Sequence, residues 1–280
     1  MPITQRLLSL ASILLILGAS IAAAQASKSA ASYVARGNAL YAKGNVDEAI
    51  ADYNTAITFD PKFAGAYYNR GLCRYAKRDL EGAIADFAKA IEINPRDGLA
   101  YCKQGNALMA KGCIDQAVAA YDRAIELNPR LAEAYCNRGA AAMVKGRVAQ
   151  ALSDYDRAIA LDPSYAEAYS NRGAAREIGG DLDGAISDYN RSIALDSHLA
   201  AAFNNRGNAL RQKGRLTAAI ADLDKAIEIN PEYSKAYANR GVVRLLQGES
   251  VEAQKDFDHA IRLDPNLRQS VEERIKAVKH

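Results

Sequence analysis

Six prolines stand on a single 34-residue grid: Pro61, Pro95, Pro129, Pro163, Pro231 and Pro265, with Ser197 in the remaining place. Other columns keep the same step. Gly37, Gly71, Gly105, Gly139, Gly173, Gly207 and Gly241 form one, and Ala49, Ala83, Ala117, Ala151, Ala185, Ala219 and Ala253 another. Isoleucine recurs at 57, 91, 125, 159, 193, 227 and 261. Seven repeats therefore fill residues 30–267. A period of this length means stacked supersecondary units that bury a core only together. It overrides the two-domain prior that 280 residues would otherwise suggest.

Each repeat reads as two helices. In residues 132–165, Ala132 to Lys145 carries Tyr135, Gly139 and Ala142 at helical spacing, and Gly146 breaks the run. Val148 to Leu161 then carries Ala151, Leu152, Tyr155, Ala158 and Ile159 at i, i+3, i+4, i+7. Asp162-Pro163 closes it, because the residue before proline disfavours the helical region. Positions below are counted so that each grid proline is position 32.

Position 8 is Gly and position 20 is Ala in every repeat, so two small residues let facing helices approach closely. Position 4 is Tyr, or Phe203 once, and position 24 is Tyr, Phe or Leu. Ten of the 15 tyrosines fall in these two columns, which assigns the tyrosine bias mostly to packing.

Tyr135-x3-Gly139, Ala151-x3-Tyr155, Ala158 and Pro163 resemble the tetratricopeptide repeat family. The resemblance covers 238 of 280 residues and recurs seven times, with Tyr in place of the usual Trp at position 4. It implies an all-α fold, a tetratricopeptide-repeat right-handed superhelix (an α-α solenoid) with a C-terminal capping helix. The first helices would line a concave surface.

Position 7 is Arg at 36, 70, 138, 172, 206 and 240, and position 23 is Asp at 52, 86, 154, 188, 222 and 256. Both are lost in the same repeat, as Gln104 and Ala120. Joint loss predicts a salt bridge between the two helices of one repeat. If exposed, such a brace is worth roughly 0–1 kcal/mol.

The two ends differ from the repeats. Residues 268–280 read as a capping helix, started by a Ser270–Glu273 capping box and polar along Glu272, Arg274, Lys276 and Lys279. At the other end Arg6 precedes an uncharged run from Leu7 to Ser27, and Ala24-Gln25-Ala26 fits a cleavage site. Residues 1–26 are expected to be a signal peptide, which makes the protein exported, periplasmic or secreted. The alternative is an uncleaved membrane anchor at residues 7–27, since about 20 apolar residues span a bilayer. Cys73, Cys102, Cys113 and Cys136 would then meet an oxidising compartment. Cys102 and Cys136 share position 5 in adjacent repeats. Neighbouring helices lie ~8–10 Å apart, beyond the ~7 Å reach of a disulfide, so packed free thiols are expected.

Positions 2, 6, 9 and 13 of each first helix face away from its partner helix at ~100° per residue. Position 6 holds Asn69, Asn137, Asn171, Asn205 and Asn239, with Ala35 and Lys103 in the first and third repeats. Asparagine is a poor interior helix residue, so the column asks for a reason. One reading is a ladder of amides that pairs with the backbone of an extended peptide, a role the family resemblance supports. The other is hydrogen bonding to a neighbouring repeat or to water. Tyr41, Tyr68 and Tyr75, with Leu72, Met109 and Met143, form a strip suited to partner binding or to packing between repeats. The family's co-chaperone clamp for a terminal carboxylate is incomplete: Asn38 and Asn69 match its asparagines and Lys103 its arginine, while Val34 and Leu99 occupy its lysine places. Charges at the free positions cancel, Lys103, Arg211 and Lys235 against Glu133, Glu167 and Glu177.

His198, His259 and His280 have no partners at metal-ligand spacing, and no nucleophile elbow or phosphate loop is present. A net charge of +3 gives no general basic surface for nucleic acid. The chain is thus expected to be a non-catalytic scaffold without cofactor or metal that binds a protein or peptide partner. The alternative is a structural assembly or self-association factor of an envelope complex. Membrane contact is expected only if the N-terminal segment is retained.

Overall fold

The computed structural model describes residues 29–279, all of whose regular structure is helical. The expected leader at 1–26 lies outside the described residues. The chain divides into two compact units, one ending at Pro129 and one starting at Arg130. The first contains α1 (29–42), α2 (Val46–Phe59), α3 (Ala64–Ala76), α4 (Leu80–Ile93), α5 (Gly98–Ala110) and α6 (Ile114–Leu127). The second contains α7 (Ala132–Val144), α8 (Val148–Leu161), α9 (Ala166–Ile178), α10 (Leu182–Leu195), α11 (Ala200–Gln212), α12 (Leu216–Ile229), α13 (Ser234–Leu246), α14 (Ser250–Leu263) and α15 (Arg268–Lys279). In the second unit α7, α9, α11 and α13 each pack on the helix that follows and on the next first helix, with α15 last in the row.

The glycine at position 8 has a specific neighbour. A methyl carbon on Gly139 would lie 2.8 Å from the Tyr155 ring, and one on Gly173 or Gly241 would lie 2.7 Å from Tyr189 or 2.6 Å from Phe257. The ring at position 24 sits flat against bare backbone and is fully buried. Its size is what excludes any side chain at position 8. The Ala column at position 20 adds a second close approach, since Gly173 also faces the Ala185 carbonyl.

Turns follow from two columns. Position 15 is left-handed in every repeat and is glycine in all but one: Gly44, Gly112, Gly146, Gly180, Gly214 and Gly248 share this conformation with Arg78, at φ 65°. Position 31 is always Asp or Asn, and its side chain accepts the N–H two residues on, as in Asp60–Lys62, Asp162–Ser164 and Asn230–Glu232. This turn also explains how Ser197 replaces proline without loss: Asp196 accepts the His198 N–H at 2.8 Å.

The Arg–Asp brace is present in six repeats and is bidentate, for example Arg206 Nε and Nη2 to Asp222 at 2.7 and 2.6 Å. It differs from expectation in environment, because the aspartates are buried. It also reaches further. The third nitrogen of the same guanidinium binds position 25 of the preceding repeat: Arg70 to Asn54, Arg172 to Asp156, Arg206 to Asn190 and Arg240 to Asp224. The guanidinium carbon also lies 5.0–5.6 Å from the ring at position 4 in all six repeats.

The capping helix starts differently from expectation. Pro265–Leu267 forms a 3-10 turn that runs straight into α15, so Ser270 is already inside the helix and the Ser270–Glu273 box does not form. Asp264 caps the turn by accepting the Asn266 N–H, and Glu273 accepts from Gln269 instead. Val271 is buried beside Phe257 and Ala260, with Ile275 and Val278 on the same cluster.

Two stability outcomes are expected from urea unfolding. Arg78→Gly relieves a left-handed side chain and stabilises by about 0.5–1 kcal/mol, whereas Gly146→Arg costs about 1 kcal/mol; equal midpoints for all three proteins would remove this account of position 15. Arg206→Gln strands a buried carboxylate and costs about 3–5 kcal/mol. Arg206→Gln with Asp222→Ala costs less than Arg206→Gln alone, and strictly additive losses would reject the coupling.

Candidate binding surface

The side-by-side first helices of the second unit expose one continuous face. Its amides are only partly available. Asn239 donates to Asn204 Oδ1 at 2.8 Å and accepts from Arg274 at 2.7 Å. Asn171 donates to Cys136 Sγ at 3.6 Å, and Asn205 accepts from Asn204 at 3.1 Å. In the first unit Asn69 donates to Asn38 Oδ1, which also accepts the Tyr53 hydroxyl, both at 2.8 Å. One amide N–H each of Asn69, Asn171 and Asn239 is thus held by the preceding repeat. The carbonyl oxygens of Asn69 and Asn171 accept no hydrogen bond among the described residues. Asn137 and Lys103 are half-buried on α7 and α5.

The aromatic strip is more covered than its spacing indicated. Tyr68 meets the Phe87 ring edge-on at 5.9 Å, and with Leu72 and Tyr75 it packs around Ala83, Phe87 and Ala107. Met143 packs on the cluster of Cys136, Ala142 and Ala175, Met109 is half-buried, and Tyr41 remains exposed.

A different apolar row stands open. Position 13 holds Val144, Ile178 and Leu246, which are 63%, 67% and 42% exposed. Gln212 occupies the same column. The signal was available as a column, since position 13 is Ala42, Ala76 and Ala110 in the first three repeats.

Two adjoining hollows lie on this face. One, of about 400 Å³, is lined by Glu177, Ile178, Asn205, Asn208 and Gln212. The other, of about 480 Å³, is lined by Asn208, Arg211, Val242, Leu246, Arg274 and Val278. Asn208 belongs to both, which makes them a single trough from α9 to α15. Its lining carries one carboxylate, Glu177, and two guanidiniums, Arg211 and Arg274. Glu177 accepts from the Tyr189 hydroxyl at 3.0 Å, from Asn208 at 2.7 Å and from Gln212 at 2.5 Å. Burial, then the Glu177 charge, raises the Tyr189 phenol above its usual range. Arg274, from the capping helix, adds a cation outside the repeat columns.

The chemistry of this face is hydrogen bonding and apolar contact. None of the four cysteines forms a disulfide, and burial pushes Cys73 and Cys136 up to about 11, which keeps them protonated at neutral pH. Among the described residues no group of His, Cys, Asp and Glu could hold a metal ion, and no helix is long and apolar enough to cross a membrane.

Comparison with known proteins fits this architecture. A family model described as TPR repeat matches residues 37–77, 105–146 and 207–248. Models described as tetratricopeptide repeat match 64–97, 132–165 and 234–267. No curated protein matches the chain in sequence. Among solved structures, the chain is similar to one in the APC/C hetero-tetramer Cut9-Hcn1, with TM-score 0.78 and 20% identity over 89% of this chain and 49% of that one. The chain thus spans about half the length of that relative. A tetratricopeptide repeat protein from Parabacteroides merdae matches with TM-score 0.70 and 18% identity over 90% of this chain and 100% of that one. YrrB, described as a TPR protein with an unusual peptide-binding site, matches with TM-score 0.50 and 25% identity over 69% and 98%. With its grid of seven helix pairs, its ring-on-glycine packing and these matched segments, the chain belongs to the tetratricopeptide repeat family.

Proposed function

We propose that this protein is a non-catalytic scaffold that holds an extended segment of a partner protein along the first-helix face of its repeats. The observation that carries this reading is the trough from α9 to α15, where amides alternate with exposed aliphatic side chains. An extended backbone needs donors and acceptors along its length, and its side chains need apolar contact at intervals. Ile178 and Leu246 supply the second, and Asn205, Asn208 and Gln212 the first. The likeness to YrrB supports a peptide as the ligand.

The rival is self-association through the second helices, where Val251 is 70% exposed at the start of α14. A photo-crosslinking amino acid at 178, 246 or 251 in the native cell separates the two. Capture of a distinct protein from 178 and 246 but not from 251 is the expected result. Crosslinks between copies of this chain from 251, with none to another protein from 178 or 246, would sink the groove reading.

We place the scaffold in the cell envelope because of the uncharged run at residues 7–27 and the small residues that end it. Mass spectrometry of the native protein is expected to find the mature N terminus near residue 27. Retention of Met1 in membranes would favour the anchor.

A further inference from the structure

Six arginines on α7, α9, α11 and α13 end on an aspartate of their own repeat: Arg138, Arg172, Arg176, Arg206, Arg240 and Arg244. Arg211 is the exception. Its Nε and Nη2 reach only the Asn208 oxygen, at 3.3 and 3.0 Å. Arg274 is placed alike, with Nη1 on the Asn239 oxygen at 2.7 Å. Among the described residues neither arginine makes an ion pair, and both line the same hollow. Burial and then the Arg274 charge hold the Arg211 guanidinium below its usual range, with Glu177 opposing. Glu177 itself already accepts from Tyr189, Asn208 and Gln212 and makes no ion pair with either arginine among the described residues.

Two guanidiniums, Arg211 half-buried and Arg274 exposed, share a hollow whose lining holds no carboxylate, beside an aliphatic wall of Val242, Leu246 and Val278. We propose that this hollow receives the carboxylate side chain of a glutamate or aspartate in the bound segment, with an adjacent aliphatic residue resting on Val242, Leu246 and Val278. Guanidinium and carboxylate match in planar, two-pronged hydrogen bonding. A protein segment suits the site better than a fatty acid does. The hollow is open and continues into the amides of Asn208 and Asn205, whereas an acyl chain needs enclosing apolar walls. The proposal rests on the groove reading above and gives it a preferred ligand chemistry.

The test uses the full chain and three fluorescent peptides, acetyl-Leu-Ala-Glu-Leu-Ala-Leu-amide and its Gln and Lys counterparts, with oleate as a competitor. The Glu peptide is expected to bind about tenfold or more tighter than the Gln peptide, because hydrogen bonds between charged partners are stronger than those to a neutral amide. The Lys peptide should bind weakest, and high salt should shrink the spread. Arg211→Gln and Arg274→Gln should each shrink the Glu–Gln difference to less than about twofold, with circular dichroism checking that each variant remains folded. Equal binding of all three peptides to the parent would overturn the carboxylate site and leave the groove standing. Failure of all three to bind overturns it as well, and the crosslinks from 178 and 246 then report on the groove independently. Displacement by oleate that depends on Arg211, at lower concentration than the Glu peptide needs, would reassign the site to a lipid anion.

Discussion

In the repeats that carry it, one guanidinium at position 7 ties three layers together. It lies against the ring at position 4, binds the buried aspartate at position 23 through two nitrogens, and spends the third on the preceding repeat. Arg172 and Arg240 make all three contacts, and so does Arg206 on Phe203. A buried pair of this kind gains little over an apolar core of equal volume, because desolvation offsets the attraction. Removing one member is costly, since the other is left as an unmet charge. The strut therefore fixes which face of each helix meets which, more than it adds to net stability.

The third repeat shows the alternative solution. Gln104 stands where the arginine would be, and both of its would-be partners are alanine: Ala120 in its own repeat and Ala88 in the one before. Two of these three changes are visible by reading within repeats. Ala88 is not, because it lies upstream in another repeat and only the reach of the third nitrogen connects it. A second set of columns behaves alike. Lys77, Lys111 and Lys213 at position 14 bind Asp47, Glu81 and Asp183 at position 18 of the preceding repeat. Where position 18 becomes Ala149 or Thr217, the following position 14 becomes Gly179 or Gln247.

The helix pairs were legible because period and turn chemistry agree: a buried ring every repeat, an Asx residue before each proline, and glycine in the left-handed turn. The capping box was misread because Pro265 starts a 3-10 turn, which moves the beginning of α15 ahead of Ser270. The binding face was legible only as a direction. Helical spacing identifies residues that turn away from the partner helix, but not how deeply the next repeat covers them. Tyr68 and Tyr75 are covered by the Phe87 layer, and three of the position-6 asparagines are tied to the preceding repeat. Arg274 was missed for a different reason: it belongs to no column, and only the packing of α15 brings it to the Asn208 hollow.

The backward reach of the strut has a consequence for how such a chain can be rebuilt by recombination. A crossover at the proline boundary, where the helix pair ends, separates positions 18 and 25 from the residues that answer them at 14 and 7 of the next pair. A repeat shuffled in from another site then carries an acid without its lysine, or an arginine without its acceptor. The second and third repeats already form a matched set, Ala88 with Gln104, which would not accept the arginine-bearing version on one side alone. The exchangeable module is thus not the helix pair itself but a helix pair with two specified neighbours, and its compatibility can be read from four columns.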